Sequence, residues 1–120
     1  MTILAGGGTG GHLSVIRALK KEFVLQSEPI IYVGSIYGQD YNWFKNDTDF
    51  HRKYFLPIKG FSGKSIFAKI MFCFMLVYSM FFLIFIFLKF KVDKVVGVGG
   101  YSSAPSSILA ILLRKKLFIH

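Results

Sequence analysis

Cysteine and acidic residues are scarce in this sequence. The one cysteine, Cys73, lies inside an apolar run, so no disulfide framework can form. We expect a buried, unreactive thiol and a reducing compartment. The N-terminus lacks the charged region and the long apolar stretch of a signal peptide, which predicts a chain that starts in the cytoplasm. It also lacks a basic helix and an aromatic ribonucleoprotein motif, so nucleic acid is not an expected partner.

The few acidic residues leave a strongly basic chain. Six Asp and Glu stand against fifteen Lys and Arg, giving a formal net charge of +9. Because 53% of the residues are hydrophobic and fourteen are Phe, intrinsic disorder is not expected. A basic and apolar chain suits an anionic membrane surface or a phosphate-bearing ligand better than an acidic protein. At 120 residues the chain is one domain or part of something larger.

Strand-like and helix-like runs alternate along the chain. Strands are predicted at 2–6, 29–34, 52–58, 93–100 and 116–120, and helices at 11–23, 39–44 and 104–115. The first helix places its apolar residues near one face and its basic residues, among them Lys20, elsewhere. This alternation predicts an α/β fold with a Rossmann-like parallel sheet and crossover helices.

The segment from Ile70 to Leu88 contains no charged residue. As a helix it would be ~28 Å long, close to the ~30 Å hydrocarbon core of a bilayer. We expect a crossover helix whose outer face meets a membrane surface; a true membrane span and burial against further chain are the alternatives. Lysines bracket the segment on both sides, which suits anionic headgroups: Lys59, Lys64, Lys69, Lys89, Lys91 and Lys94.

The glycine-rich stretch "AGGGTGGHL" follows the first predicted strand. Neither this stretch nor "KGFSGKS" has the spacing of a nucleotide-triphosphate P-loop. Gly6, Gly8 and Gly11 match the dinucleotide fingerprint literally, but the second strand ends without the acidic residue that holds the ribose. A small dinucleotide-binding module therefore remains only as an alternative.

A second glycine loop, "GVGGYSSAPS", follows the fourth predicted strand. In a doubly wound sheet the first and fourth strands are neighbours, so both loops should open into one crevice. Backbone N–H groups of glycines and a helix N-terminus behind each loop can bind an anion. Thr9 can add a hydroxyl, and Ser102 and Ser103 are predicted to cap the second helix. Two such loops suggest a diphosphate ligand.

His12 stands at the start of the first predicted helix. The positive end of the helix dipole disfavours the imidazolium form, so the ring should be neutral and able to accept a proton. The alternative interpretation is a helix-start residue that is merely bonded to neighbouring backbone.

Four stretches together resemble the amino-terminal half of the MurG-type glycosyltransferases: "GGGTGGHL", the "GFSGKS" loop, "VGVGGYSSAP" and the closing "LFIH". "YVGSIYGQDYNWF" and "RKYF" resemble the epsilonproteobacterial versions. The resemblance covers nearly the whole chain in order. It implies a transferase that moves N-acetylglucosamine from UDP-N-acetylglucosamine to undecaprenyl-diphosphate-muramyl-pentapeptide, an intracellular step of peptidoglycan synthesis.

The resemblance also implies roles for individual residues. Thr9, Gly10 and Gly11 would lie at the donor and diphosphate interface, and His12 would be the general base. The acceptor diphosphate would be bound by the second loop: Gly99, Gly100, Tyr101, Ser102 and Ser103. No metal and no cofactor are expected.

The same resemblance implies two Rossmann-like domains facing across a cleft. Residues 1–120 would be the acceptor-binding domain, incomplete at its C-terminus and inactive alone, because the donor's nucleotide-binding domain is absent. Residues 70–88 would be a membrane-associated helix, placing the protein peripherally on the cytoplasmic face of the inner membrane. A membrane-anchoring subunit of a split glycosyltransferase remains an alternative.

Overall fold

A computed structural model describes residues 1–8, 10–59 and 65–120. Five strands alternate with four helices in the described chain: β1 (Thr2–Ala5), α1 (Gly10–Leu25), β2 (Ile30–Ser35), α2 (Asp40–Phe44), β3 (Arg52–Leu56), α3 (Ile66–Lys89), β4 (Lys94–Gly97), α4 (Ala104–Leu112) and β5 (Lys116–Ile119). A short 3₁₀ helix, Tyr101–Ser103, precedes α4. All strand pairs are parallel, in the order β3-β2-β1-β4-β5. The predicted parallel α/β sheet is confirmed.

Helices cover both faces of the sheet, which is why its central strands are continuous apolar runs. On one face Ile3 and Val33 pack in a core cluster that includes residues of α3 and α4. On the other face Leu4 packs in a cluster that includes Leu13 and Ile16 of α1. Successive residues of β1 thus serve opposite cores, as the period of two in a strand requires. This two-sided packing fixes the strand ends that carry the glycine loops.

Lys20 is predicted to lie away from the apolar face of α1, and its spacing gives no sign that it is buried. It is buried, and its Nζ lies 2.6 Å from Asp47 Oδ2 and 3.1 Å from Asp49 Oδ2. Burial opposes the charge, but the hydrogen bonds and charges of the two carboxylates outweigh it and raise the pKa of Lys20. The side chain therefore ties α1 to the segment that follows α2.

Helix α3 is the crossover between β3 and β4. Leu83, Ile86 and Phe87 are buried against the sheet and α4, and a membrane span would require these contacts to be lost. By length and composition alone the helix could cross a membrane, with a mean hydropathy of 2.7. Its outer face is apolar and exposed. The prediction of a buried thiol is wrong, because Cys73 lies on that exposed face.

Candidate active site

The two glycine loops meet at the carboxyl ends of β1 and β4, as predicted. Ala5 and Gly97 are in register, and beyond them the Gly7 N–H donates to the Gly99 carbonyl at 3.3 Å. Gly100, with φ +80°, packs so closely on the Gly7 carbonyl that a Cβ there would collide with it. Only glycine accommodates both this backbone angle and this approach. The loops therefore form one crevice at the switch point of the sheet.

The backbone N–H groups of the first loop are mostly used within the protein. Gly6 N–H donates to the Val33 carbonyl at 3.1 Å, and Gly8 N–H donates to Asp40 Oδ1 at 2.7 Å. The prediction that these amides face an anion is wrong, because the strand neighbours and a buried carboxylate take them first. On this side of the crevice α1 begins at Gly10 and Gly11, and the positive end of its helix dipole favours an anion. Thr9, the third predicted ligand here, lies outside the described residues.

His12 lies in the first turn of α1, half-buried beside both loops. Its Nδ1 is 3.1 Å from the Gly7 carbonyl oxygen. Since a carbonyl can only accept, Nδ1 is the nitrogen that donates, and in the neutral ring Nε2 then carries the lone pair. The Gly99 backbone lies against Nε2, where a Cβ on Gly99 would come within 3.0 Å of it. The basic nitrogen is thus held at the edge of the second loop.

The second loop differs from its prediction at the two serines. Ser103 Oγ donates to the Gly100 carbonyl at 2.8 Å and closes the 3₁₀ turn. It makes no side-chain cap on α4, since its φ and ψ are already helical. Tyr101 is half exposed, and its ring packs edge-to-face on Phe72 of α3 at 5.6 Å. The expected capping by hydroxyls is therefore wrong.

Ser102 lines a pocket between the loops instead. It is 3% exposed, and its Oγ has no hydrogen-bond partner among the residues that the structure describes. The pocket measures about 170 Å³ and is lined also by Gly7, Gly8 and Lys59. Pockets that bind whole small ligands measure roughly 300–1,000 Å³, so this volume suits one group of a larger ligand. A buried hydroxyl, the edge of a glycine loop and a lysine are chemically suited to an anionic group.

Asp40 is a site residue that the sequence reasoning missed. It is fully buried behind the first loop, where Gly8 N–H and Ser35 N–H donate to it at 2.7 and 2.9 Å. The Tyr32 hydroxyl lies 3.3 Å from its Oδ2 and 2.9 Å from the Gly6 carbonyl. Burial and the neighbouring carboxylate raise the pKa of Tyr32, so the hydroxyl stays a neutral donor. A search for an acid at the end of β2 overlooks Asp40, which stands five residues after Ser35.

The "GFSGKS" loop that carries part of the resemblance cannot be placed in this site. Its residues 60–64, and with them Lys64, lie outside the described residues. Lys59, directly before them, lines the pocket described above and stacks its ammonium 5.1 Å from the ring centre of Tyr37.

Comparison with known proteins places this chain in a family. Residues 2–120 match the glycosyltransferase family 28 N-terminal domain. The chain is 42% identical over 120 residues to a UDP-N-acetylglucosamine–N-acetylmuramyl-(pentapeptide) pyrophosphoryl-undecaprenol N-acetylglucosamine transferase of Campylobacter fetus, covering the whole chain and 36% of the relative. The transferase of the same name from Helicobacter pylori strain P12 is 42% identical over 117 residues, which are 98% of the chain and 33% of the relative.

A solved structure agrees with this assignment. The chain superimposes on the crystal structure of Acinetobacter baumannii MurG with a TM-score of 0.80 and 25% identity, over 99% of the chain and 34% of that protein. The predicted resemblance and fold are therefore confirmed. The chain spans about a third of the length of the curated relatives it matches.

Proposed function

Because the chain belongs to glycosyltransferase family 28, we propose that it is the acceptor-binding half of a transferase acting on a lipid-linked acceptor. The transferase moves N-acetylglucosamine from UDP-N-acetylglucosamine to undecaprenyl-diphosphate-linked muramyl-pentapeptide in peptidoglycan synthesis. The observation that carries the proposal is the meeting of both glycine loops and His12 at the carboxyl ends of β1 and β4. In open α/β sheets, ligands bind in the crevice at this position.

His12 is the general base of the proposed reaction. Its Nδ1–H bond to the Gly7 carbonyl makes Nε2 the nitrogen with the lone pair. Nε2 takes the proton from the muramyl 4-hydroxyl as that oxygen forms a bond to the anomeric carbon of the donor sugar. The bond from that carbon to the UDP oxygen breaks, and UDP leaves from the opposite face with inversion. No step requires a metal or a cofactor.

The acceptor diphosphate is proposed to lie between the second loop and the pocket beside it. Ser102 offers a buried hydroxyl. Gly99 and Gly100 have no side chain that would prevent the diphosphate from approaching their backbone closely. Tyr101 and Ser103 complete this loop. Gly10 and Gly11 begin α1 on the other side of the crevice, where the helix N-terminus favours the donor diphosphate. Thr9, which precedes them in the sequence, is proposed as a further ligand of that diphosphate.

The nucleotide of the donor is proposed to bind mainly to a second domain. The matched relatives are about three times as long as this chain. On this proposal residues 1–120 are inactive alone. A dinucleotide module is disfavoured, because the one carboxylate near the end of β2, that of Asp40, is fully buried and engaged by loop and strand donors.

Membrane docking is proposed for the outer face of α3, on the cytoplasmic side of the inner membrane. Phe74, Phe81 and Phe85 on this face are 67%, 62% and 73% exposed. Lys69 and Lys89 lie within its first and last turns. Exposed aromatic rings flanked by lysines suit the interface of an anionic bilayer, where the polyprenyl tail of the acceptor resides.

Vesicle binding tests this surface. We expect the 120-residue chain to float with vesicles containing phosphatidylglycerol, more strongly at low salt than at high salt. The triple variant Phe74→Ser, Phe81→Ser, Phe85→Ser should bind at least ~10²-fold more weakly, since each ring contributes about 1.5–3 kcal/mol of burial. Leu25→Ser, which removes an exposed apolar side chain at the end of α1, is the control and should bind normally. Equal binding by the triple variant would contradict docking through α3.

A chimera tests the proposed activity. Residues 1–120 replace the matching region of the Campylobacter fetus transferase, which supplies the rest of that protein. With UDP-N-acetylglucosamine and the lipid-linked acceptor, we expect the chimera to form the disaccharide product and the relative's remaining part alone to form none. A folded chimera that binds UDP-N-acetylglucosamine but makes no product would contradict the proposal.

A further inference from the structure

We propose that Asp40 is a positioning residue that fixes the tautomer and orientation of His12 through the first glycine loop. The catalytic consequence rests on the proposed function, whereas the structural coupling does not. Asp40 lies across the loop from His12, and the coupling runs through Gly6, Gly7 and Gly8.

Asp40 is held by donors rather than by a cation. It is 0% exposed, and none of the ion pairs among the described residues includes it. Two backbone N–H groups, of Gly8 and Ser35, donate to it, and the Tyr32 hydroxyl is within reach. A buried carboxylate without such donors would be strongly destabilising. The loop and the carboxylate therefore hold each other in place.

The loop passes this constraint on to His12. Asp40 fixes Gly8 directly, and the Tyr32 hydroxyl shares its one proton between the Gly6 carbonyl at 2.9 Å and Asp40 Oδ2 at 3.3 Å. Gly7 lies between these two anchors, so close to the carboxylate that a Cβ would collide with it. Its carbonyl accepts the Nδ1–H of His12. A shift of that carbonyl would release Nδ1 and let the proton move to Nε2, which removes the basic lone pair from the crevice.

Asparagine at position 40 breaks this arrangement with little change in volume. One carboxylate oxygen becomes an NH₂ donor, and whichever way the amide is turned it faces a backbone N–H, of Gly8 or of Ser35. One buried donor is then left without an acceptor, and the loop must move to relieve it. Tyr32→Phe tests the same coupling more gently, because it removes the hydroxyl shared by the Gly6 carbonyl and Asp40 but leaves the carboxylate, and it keeps the ring packed on Phe44 and Phe50.

The test reads the tautomer of His12 in the ¹⁵N-labelled 120-residue chain by nitrogen NMR of the imidazole. Wild type should show Nδ1 protonated and Nε2 unprotonated. Asp40→Asn should give a mixture of the two tautomers, and in the chimera it should lower kcat by ~10–100-fold with little change in KM. Asp47→Asn is the matched control, since it weakens the ion pair with Lys20 away from the loop.

An unchanged His12 tautomer in folded Asp40→Asn would overturn the proposal, as would an equal change in Asp47→Asn. If Asp40→Asn does not fold, Tyr32→Phe decides: a shift toward the mixed tautomer supports the coupling, and an unchanged spectrum overturns it. A wild-type chimera without transfer activity contradicts the proposed function alone, because the NMR measurement needs no turnover.

Discussion

Replacing His12 by alanine in the chimera is expected to lower kcat by ~10²–10⁴-fold, the usual contribution of a positioned general base. The Kd for UDP-N-acetylglucosamine should change little, because His12 is proposed to act on the acceptor hydroxyl. The physical reason is the ring geometry: Nδ1 donates to the Gly7 carbonyl, so Nε2 is the nitrogen that receives the proton. Steady-state rates with both substrates varied separate this loss of turnover from a loss of binding.

The control for this substitution is His51→Ala. His51 is exposed at the opposite end of the sheet, where its backbone N–H donates to the carbonyl of Ile30, the first residue of β2. We expect turnover within error of the parent chimera. A His12→Ala chimera that keeps full turnover removes His12 from the role of base, and so does an equal loss in both variants.

Replacing Gly7 by alanine is expected to destabilise the domain by about 3 kcal/mol or more, through strain and steric collision. Gly7 has φ +145°, and its Cβ would enter the space occupied by the Asp40 carboxylate. The loop cannot retreat freely, because Gly7 N–H is bonded to the Gly99 carbonyl. Chemical denaturation of the 120-residue chain measures the loss, and in the chimera the displaced loop should cost ~10²-fold in turnover.

Gly10→Ala provides the matched stability control. Gly10 begins α1, and its Cβ would find its nearest neighbours at 3.8 Å, which is ordinary contact. Because alanine is the better helix former by ~1 kcal/mol, the substitution should leave stability unchanged or slightly raised. Equal destabilisation by the two alanines would show that the loop tolerates no side chain anywhere and that Asp40 has no special part in it.

The fold could be predicted because its elements are marked locally. β1 and β2 are apolar runs stopped by glycine or followed by turns, and the helices between strands of a parallel sheet are required by its geometry. The adjacency of β1 and β4, and with it the meeting of the two loops, follows from the same topology. Helix α3 was also predictable as the crossover between β3 and β4. Two successive parallel strands need a connection of this kind, whether or not the outer face of the helix is apolar.

The details of the site could not be predicted, because they depend on tertiary contacts. The residues of "QDYNWF" do not by themselves show that the Asp40 carboxylate lies under the glycine loop and accepts a hydrogen bond from the Gly8 N–H. The hydroxyl of Ser103 could cap a helix or close a turn, and only the backbone angles of the 3₁₀ segment decide between them. Likewise, Lys20 is buried because two carboxylates beyond α2 reach it.

Binding of the acceptor to the 120-residue chain is the most direct test of the central claim that its second glycine loop holds the acceptor diphosphate. The chain is placed in lipid nanodiscs, and its amide resonances are followed during titration with undecaprenyl-diphosphate-muramyl-pentapeptide and, separately, with UDP-N-acetylglucosamine. We predict that the acceptor shifts the amides of residues 99–103, while the nucleotide sugar at the same concentration shifts them little. Shifts caused by the nucleotide sugar and not by the acceptor would contradict the account.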